Sequence, residues 1–279
     1  MQGIALERSF VKMTLFTCPV CGETLTKEER LYRCESGHSF DRAKSGYVNL
    51  LTPDKMNSNT PGDSKEMVIS RRDFLLGGHY APLKEALCEM ALKYSPPSPV
   101  YLDAGCGTGY YMKSVAEKIK ADVAFGVDIS KNAVNVTAKY FPSETAVASV
   151  YSLPLRDGSV DVITNVFSPM ADREYLRVLK KGGHLLYVVP APEHLFALKT
   201  LLYEKPYLNS EEDISYEGFK AVEKISVSFD LALNSPEEIL SLFRMTPYFW
   251  RTPEGAEDRI RSTPALQDKA SFYILVFEK

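Results

Sequence analysis

The sequence lacks any apolar run approaching the roughly 18 residues that span a bilayer, so no membrane-crossing helix is expected. Its first residues show no charged, apolar and cleavage regions of a secretory signal, and a cytoplasmic chain is expected. Cysteine is scarce. There are five, three of them between positions 18 and 34. That clustering speaks against a secreted disulfide scaffold and, in a reducing compartment, for a bound metal. Positive charge is not in excess either: 33 Lys and Arg stand against 36 Asp and Glu, for a net charge of −3. Any nucleic-acid contact must therefore come from local patches. What remains is an ordinary globular composition, 279 residues with 45 % hydrophobic and 25 % charged, enough for one full α/β domain and a smaller one.

The most informative stretch is Val100-Tyr101-Leu102-Asp103-Ala104-Gly105-Cys106-Gly107-Thr108-Gly109. An apolar strand runs into a turn with glycines at alternate positions, followed by a helical-looking segment. Glycine is needed where backbone takes positive φ or where a ligand presses against it. The helix that follows is expected to offer unpaired N–H donors and a positive dipole end, suited to a carboxylate. A second apolar run, Val123 to Val127, ends in Asp128, placed to accept hydrogen bonds from ribose hydroxyls. The pattern is G-x-G-x-G preceded by Asp103, not the G-x-G-x-x-G of nicotinamide dinucleotide sites. A carboxylate at the strand end would repel a pyrophosphate and suits a cationic ligand. S-adenosylmethionine offers a sulfonium, an ammonium, a carboxylate and ribose hydroxyls, and each finds a partner among Asp103, Gly105, Cys106, Gly107, Gly109 and Asp128. The turn resembles the first motif of class I methyltransferases.

Upstream, Cys18, Cys21, Cys34 and His38 read C-x2-C-x12-C-x3-H. Two short knuckles, each beside a glycine, present three thiolates and an imidazole, a closed tetrahedral zinc set. No ligand position is left open, so the metal is structural, supplying on the order of 10 kcal/mol toward folding a module too small to build much core. The same region carries Arg30, Arg33, Arg42 and Lys44 among Tyr32, Phe40 and Tyr47, cations and rings that looped RNA would favour. Against this, residues 1–52 hold nearly equal numbers of acidic and basic side chains, as any solvated surface would.

Residues 1–12 carry no signal, and residues 53–63 read as an exposed linker with two prolines. A helix is expected after Asp63 or Ser64, ending at Gly77, and another from Leu83 to Leu92. From there strands at 100–103, 123–128, 145–149, 160–165, 184–190, 219–230 and 271–278 alternate with helices at 109–120, 131–140, 171–180, 193–203 and 236–244. This pattern predicts a Rossmann-like α/β domain, a mostly parallel seven-stranded sheet covered on both faces. The expected division is a zinc module at 1–52, a linker with two helices at 53–98 and a methyltransferase domain at 99–279. The stretch Met245 to Ala270, with Tyr248, Phe249 and Trp250, reads as a long connection able to cover the substrate or to pack on the sheet.

In such sheets ligands bind at the carboxyl ends of the strands. The loop after the third strand, beginning at Ser149, is expected beside the adenine. The fourth strand ends at Asn165-Val166-Phe167-Ser168-Pro169, making Asn165 and Phe167 the candidates to meet the methyl acceptor, one through its amide and one by stacking. The Asn-Pro-Pro-Tyr motif used for exocyclic amines is absent, which favours a ring nitrogen.

The whole arrangement resembles the RlmA family. The residues that carry it are Cys18, Cys21, Cys34, His38, Phe40, Asp41, Gly46 to Leu51, Pro61 to Ser64, Glu66, Met67, Arg71, Arg72, His79, Tyr80, Asp103 to Gly109 and the late Met-Thr-Pro-x-x-Trp-Arg at Met245 to Arg251. The resemblance covers nearly the whole chain from Cys18. It implies methylation of N1 of a guanine in a domain II hairpin of 23S ribosomal RNA, zinc at the four cluster residues, RNA contact by the small module, and a homodimer. It also implies that Tyr80 and His194 reach the S-adenosylmethionine, and that members influence macrolide binding. Guanine N1 carries a proton at neutral pH, so Asn165 or nearby backbone is expected to hold the base edge while the proton leaves to water or to an acid such as Asp63. Two rival readings stay open at this level, a small-molecule methyltransferase and a non-catalytic RNA-binding protein of ribosome assembly.

Overall fold

The structure, a computed structural model, describes residues 12–56, 61–210, 214–250, 252 and 254–279. The first eleven residues, the middle of the expected linker at 57–60 and Arg251 of the late aromatic motif lie outside the described residues.

The N-terminal part is an antiparallel sheet of four strands in sequence order, β1 (Lys12–Thr17), β2 (Thr24–Lys27), β3 (Leu31–Arg33) and β4 (Ser39–Asp41). Its first and last turns, 18–23 and 34–38, are the two cysteine knuckles, bent through Gly22 and Gly37 at positive φ. The chain then leaves this sheet. β5 (Val48–Asn49) pairs in parallel with β8 (Glu144–Val147) of the large sheet.

Helices α1 (Lys65–Leu76) and α2 (Ala81–Lys93) follow, α1 capped by Ser64, whose hydroxyl accepts from Met67 N at 3.3 Å. Then come β6 (Val100–Ala104), α3 (Tyr110–Lys118), β7 (Val123–Asp128), α4 (Lys131–Tyr140), β8, β9 (Val160–Val166), α5 (Asp172–Val178) and β10 (Leu179–Pro190). The chain closes through α6 (Phe196–Leu202), β11 (Lys220–Leu233), α7 (Pro236–Met245), α8 (Ala256–Arg261) and β12 (Leu266–Glu278). The large sheet runs β11-β12-β10-β9-β6-β7-β8-β5, parallel except that β12 is antiparallel to both neighbours. It has eight described strands where seven were expected, because the two residues of β5 are too few to show a period in the sequence.

Successive strands step outward from β6 to β8 and then cross to β9, so the turn after β6 sits where the strand order reverses. The central strands are buried on both faces, as β9 is along nearly its whole length, whereas edge strand β11 leaves alternate residues exposed. One face packs α1, α2, α3, α6, α7 and α8 around Tyr101, Val162, Leu186, Val188 and Ile274. The other packs Leu102, Ile163, Leu185 and Phe277 against α5 and against the N-terminal module itself. Phe16, fully buried, meets Phe125 edge-on at 5.2 Å, and the Tyr32 hydroxyl donates to Glu144 Oε2 at 2.8 Å beside the Lys27–Glu144 ion pair.

Several boundaries differ from the sequence reading. The helix expected to reach residue 180 stops at Val178, and β10 starts at once on Leu179 with a register shift before His184. The helix expected from 193 is only Phe196–Leu202, because Leu195 takes a left-handed φ of 54° ahead of it. The long connection after Met245 is not featureless. It holds a 3-10 turn at Pro247–Trp250 and α8, and β12 begins at Leu266.

Candidate active site and metal centre

The turn after β6 takes the backbone geometry its glycines promise. Gly105, Gly107 and Gly109 have φ of 82°, 53° and 79°. A Cβ on Gly105 would lie 2.4 Å from Ser168, and one on Gly109 2.9 Å from Thr137, so glycine is required for close approach as well as for conformation. Most donors of the turn, however, already have partners on β7 or in the turn. Gly105 N and Cys106 N both donate to Val127 O, at 2.7 and 3.0 Å; Gly107 N donates to Asp128 Oδ2 at 2.9 Å and Gly109 N to Cys106 O at 2.8 Å. Four N–H groups of the turn thus already have partners, and the unpaired donors expected for a carboxylate are those of the first turn of α3. Cys106 also turns inward, buried against Thr137, and its burial raises the thiol well above its usual range.

Asp103 is buried, with Oδ1 accepting from the Thr164 hydroxyl at 2.8 Å. Burial raises its carboxyl to about 7, the Thr164 hydrogen bond opposing and the Asp128 charge reinforcing the shift. Asp128 is likewise raised by burial, although it accepts from Ser130 N and Gly107 N. Two carboxyls held above their ordinary values at one strand edge are an unfavourable arrangement that a cationic ligand relieves. Ser149 stands one strand further out, where Ala148 N bonds Asp128 O and Tyr151 N donates to the Ser149 hydroxyl.

Beside this edge opens a cavity of about 1200 Å3, bordered by Arg71, Tyr80, Phe167, His194, Tyr248 and Trp250. Phe167 is 40 % exposed and sits at φ 60°, unusual for a bulky residue, with its ring 5.3 Å from Phe272. Such strain concentrates at functional loops. Asn165 behaves differently. It is fully buried, its amide donates to Pro169 O and the Tyr175 hydroxyl at 3.0 and 2.9 Å, and its oxygen accepts from Ser168 N at 3.0 Å. With the amide committed on all sides, Asn165 braces the loop that carries Phe167 and is turned away from the cavity.

In the N-terminal module, Cys18, Cys21, Cys34 and His38 present ligand atoms that all lie within 4.8 Å of one another. Cys21 Sγ is 3.7 Å from Cys34 Sγ, and Cys34 Sγ is 3.4 Å from His38 Nδ1. A tetrahedron with zinc–sulfur bonds near 2.3 Å has edges of about 3.8 Å, so the donor set fits Zn2+. Glu23 ties the two knuckles together, accepting from Ser36 N and Ser36 Oγ at 2.9 Å.

Residues 16–59 match the family description "RlmA, N-terminal", a zinc ribbon, and residues 102–187 match "Methyltransferase domain". A Bacillus subtilis protein, YxjB, is 30 % identical over 88 % of this chain and 90 % of its own length; it carries a provisional assignment as a 23S rRNA (guanine-N1)-methyltransferase. A Micromonospora griseorubida protein with the same provisional assignment is 36 % identical over 84 % of this chain and 86 % of its own length. The chain belongs to the RlmA family. The Streptomyces fradiae 23S rRNA (guanine(748)-N(1))-methyltransferase is 41 % identical over 65 % of each chain.

The RlmA pattern brings in two residues that spacing alone does not find. Tyr80, buried at the start of α2 with its ring 5.2 Å from Phe272, borders the cavity. His194 is buried too, with Nδ1 accepting from Ser271 N at 3.2 Å; burial, then the Lys199 charge, lower it to about 3, so it is a neutral ring with its proton on Nε2. Lys199, Thr164 and Tyr175 join the site only in the folded structure. Lys199 is fully buried and donates to Tyr207 O and Asn209 Oδ1 at 3.0 and 2.8 Å, fixing a strap along the cavity wall. Nothing in the local pattern signals these three, since each is read only through its partner.

In the zinc ribbon the structure corrects the ring assignments. Tyr32 and Tyr47 are buried in packing and unavailable to stack a base, and Phe40 is partly buried. Arg30, Arg33, Arg42 and Lys44 remain exposed.

Proposed function

We propose that this RlmA-family enzyme transfers a methyl group from S-adenosylmethionine to N1 of a guanine in a domain II hairpin of 23S ribosomal RNA. The observation that carries the reading is the pair of carboxyls raised by burial, Asp103 and Asp128, at the switch point of the sheet, next to a cavity large enough for a nucleobase whose wall includes Ser168, against which Gly105 packs. A zinc ribbon of the RlmA type joined to that sheet argues against a small-molecule methyltransferase.

S-adenosylmethionine supplies the electrophilic methyl. The chain's task is to align acceptor and methyl and to remove competing water. Asp103 meets the ammonium and Asp128 the ribose hydroxyls, with Gly105, Gly107 and Gly109 letting the ligand lie against the turn and Ser149 flanking the adenine. Tyr80 and His194 border the cavity from its far wall. Phe167 stacks on the extruded guanine, held in its strained pose by the Asn165 brace. The N1 proton passes to water or to Asp63, which also borders the cavity. The four exposed cations of the ribbon grip the hairpin backbone. The reading includes a cytoplasmic homodimer, which sedimentation of the pure protein would detect.

Mass mapping of 23S rRNA from cells with and without the gene tests it. One guanine should lose 14 mass units when the gene is absent, on the order of a single methyl group; an unchanged methylation pattern would sink the assignment.

A further inference from the structure

The glycine turn leaves the amino-acid end of the cofactor short of a cation. Four of its N–H groups already have partners, three on β7 and one within the turn, and the nearby side chains of Asp63, Asp103 and Asp128 are all acids. The cofactor nevertheless brings a carboxylate of its own, which those acids would repel. One positively charged side chain leans over the turn from outside the sheet. Arg71, on α1, has its Cδ 3.8 Å from where a Cβ on Gly107 would stand, and its side chain is 24 % exposed.

What holds Arg71 there is unusually complete. The linker is pressed onto the β7–α4 turn: a Cβ on Gly62 would fall 2.8 Å from Ser130 Cβ, and Ser130 Oγ donates to Asp63 O at 2.8 Å. From that anchor α1 carries Arg71 back over the turn. Its Nε and Nη2 donate to Asp63 Oδ2 at 3.1 and 2.8 Å, and Nη2 also reaches Met245 O at 3.1 Å. Nη1 has no hydrogen bond among the described residues. Among the described residues, Lys224 also borders the cavity and lies over the Tyr273 ring at 3.9 Å, on the sheet wall.

We propose that Arg71 binds the carboxylate of the cofactor's methionine moiety, and that Asp63 keeps the guanidinium aimed at the turn until that carboxylate arrives. The proposal rests on the S-adenosylmethionine reading above. The planar guanidinium suits a carboxylate in two-point contact, and Met245 O retains one of its donors so that it stays oriented. Three acids around one guanidinium leave the pocket anionic overall, which matches a ligand bearing two positive centres and one negative.

Calorimetric titration with S-adenosylhomocysteine and with 5′-methylthioadenosine, which lacks the amino-acid end, tests this on the full chain. Arg71→Met should weaken S-adenosylhomocysteine binding by about 10- to 100-fold, the size of a charged hydrogen-bonded contact, and leave 5′-methylthioadenosine unchanged. Arg71→Lys, which keeps the charge, should recover part of the loss, and Asp63→Asn should bind S-adenosylhomocysteine at least as tightly as the parent. Equal weakening of both ligands by Arg71→Met would show a merely structural helix contact and overturn the proposal, as would no weakening of either. If the unmodified protein binds neither ligand, the cofactor reading itself falls, and the proposal with it.

Discussion

Asp103 shows how a single side chain suited to a cationic ligand can be at odds with its own fold. Its folded-state carboxyl stands near 7, above the unfolded value, so ionisation works against folding. The cost grows as pH rises toward 7 and stays constant beyond it. Asp103→Asn should therefore raise the melting temperature of the ligand-free protein at about pH 8 while weakening S-adenosylhomocysteine binding. In the parent, binding a cation to ionised Asp103 should release a proton below about pH 7, so affinity falls by up to tenfold per unit on acidification. Titration in buffers of different ionisation heat measures that proton, and an affinity independent of pH from about 5.5 to 8 would contradict the assignment. The acidity of Asp103 was legible as a type at a strand end. Its burial was not, because the Thr164 partner lies 61 residues away on another strand. Asn165 makes the same point in reverse: position at the strand end marks the residue, but only the Tyr175 and Pro169 contacts reveal that it faces inward.

Elements were read best where period and caps agreed. α7 begins after Ser235, whose hydroxyl accepts from Glu238 N at 3.2 Å, with Pro236 in its first turn and Ile239, Leu240, Leu242 and Phe243 buried. β5 could not be read, since a two-residue strand exists only by virtue of the edge it joins. The segment after α7 reads as one connection in the sequence, yet Gly255 at φ 84° starts a further helix within it. That segment puts Trp250 at the mouth of the cavity, 67 % exposed, with its ring 5.3 Å from Phe249. A large ring left so open is suited to stack a base flanking the target. Trp250→Ala should weaken hairpin binding by about 1–3 kcal/mol and leave S-adenosylhomocysteine affinity as it was, comparing filter binding with calorimetry. Loss of cofactor affinity instead would make the ring a structural part of the donor site.

Over the molecule as a whole, the zinc ribbon and the large sheet share one core. Composition and the knuckle spacing gave a small module by itself; they gave no hint that Phe16 would lie on Phe125 or that β5 would extend the sheet, because such contacts join distant parts of the chain. The metal should consequently stabilise both parts together. Cys34→Ser should abolish zinc retention measured by elemental mass spectrometry. It should also lower a single calorimetric melting transition by about 10 °C or more, given the typical contribution of structural zinc. Two separate transitions, with the later one unmoved, would show that the parts fold independently.

The Tyr32 hydroxyl finds its acceptor on Glu144, 112 residues further along the chain. As the polypeptide emerges from a translating ribosome, the ribbon's knuckles are synthesised early and can capture their ion, yet its inner face has nothing to rest on until β7 and β8 have appeared. The nascent ribbon thus waits, metal-loaded and with an apolar side bare, for the strands that will cover it.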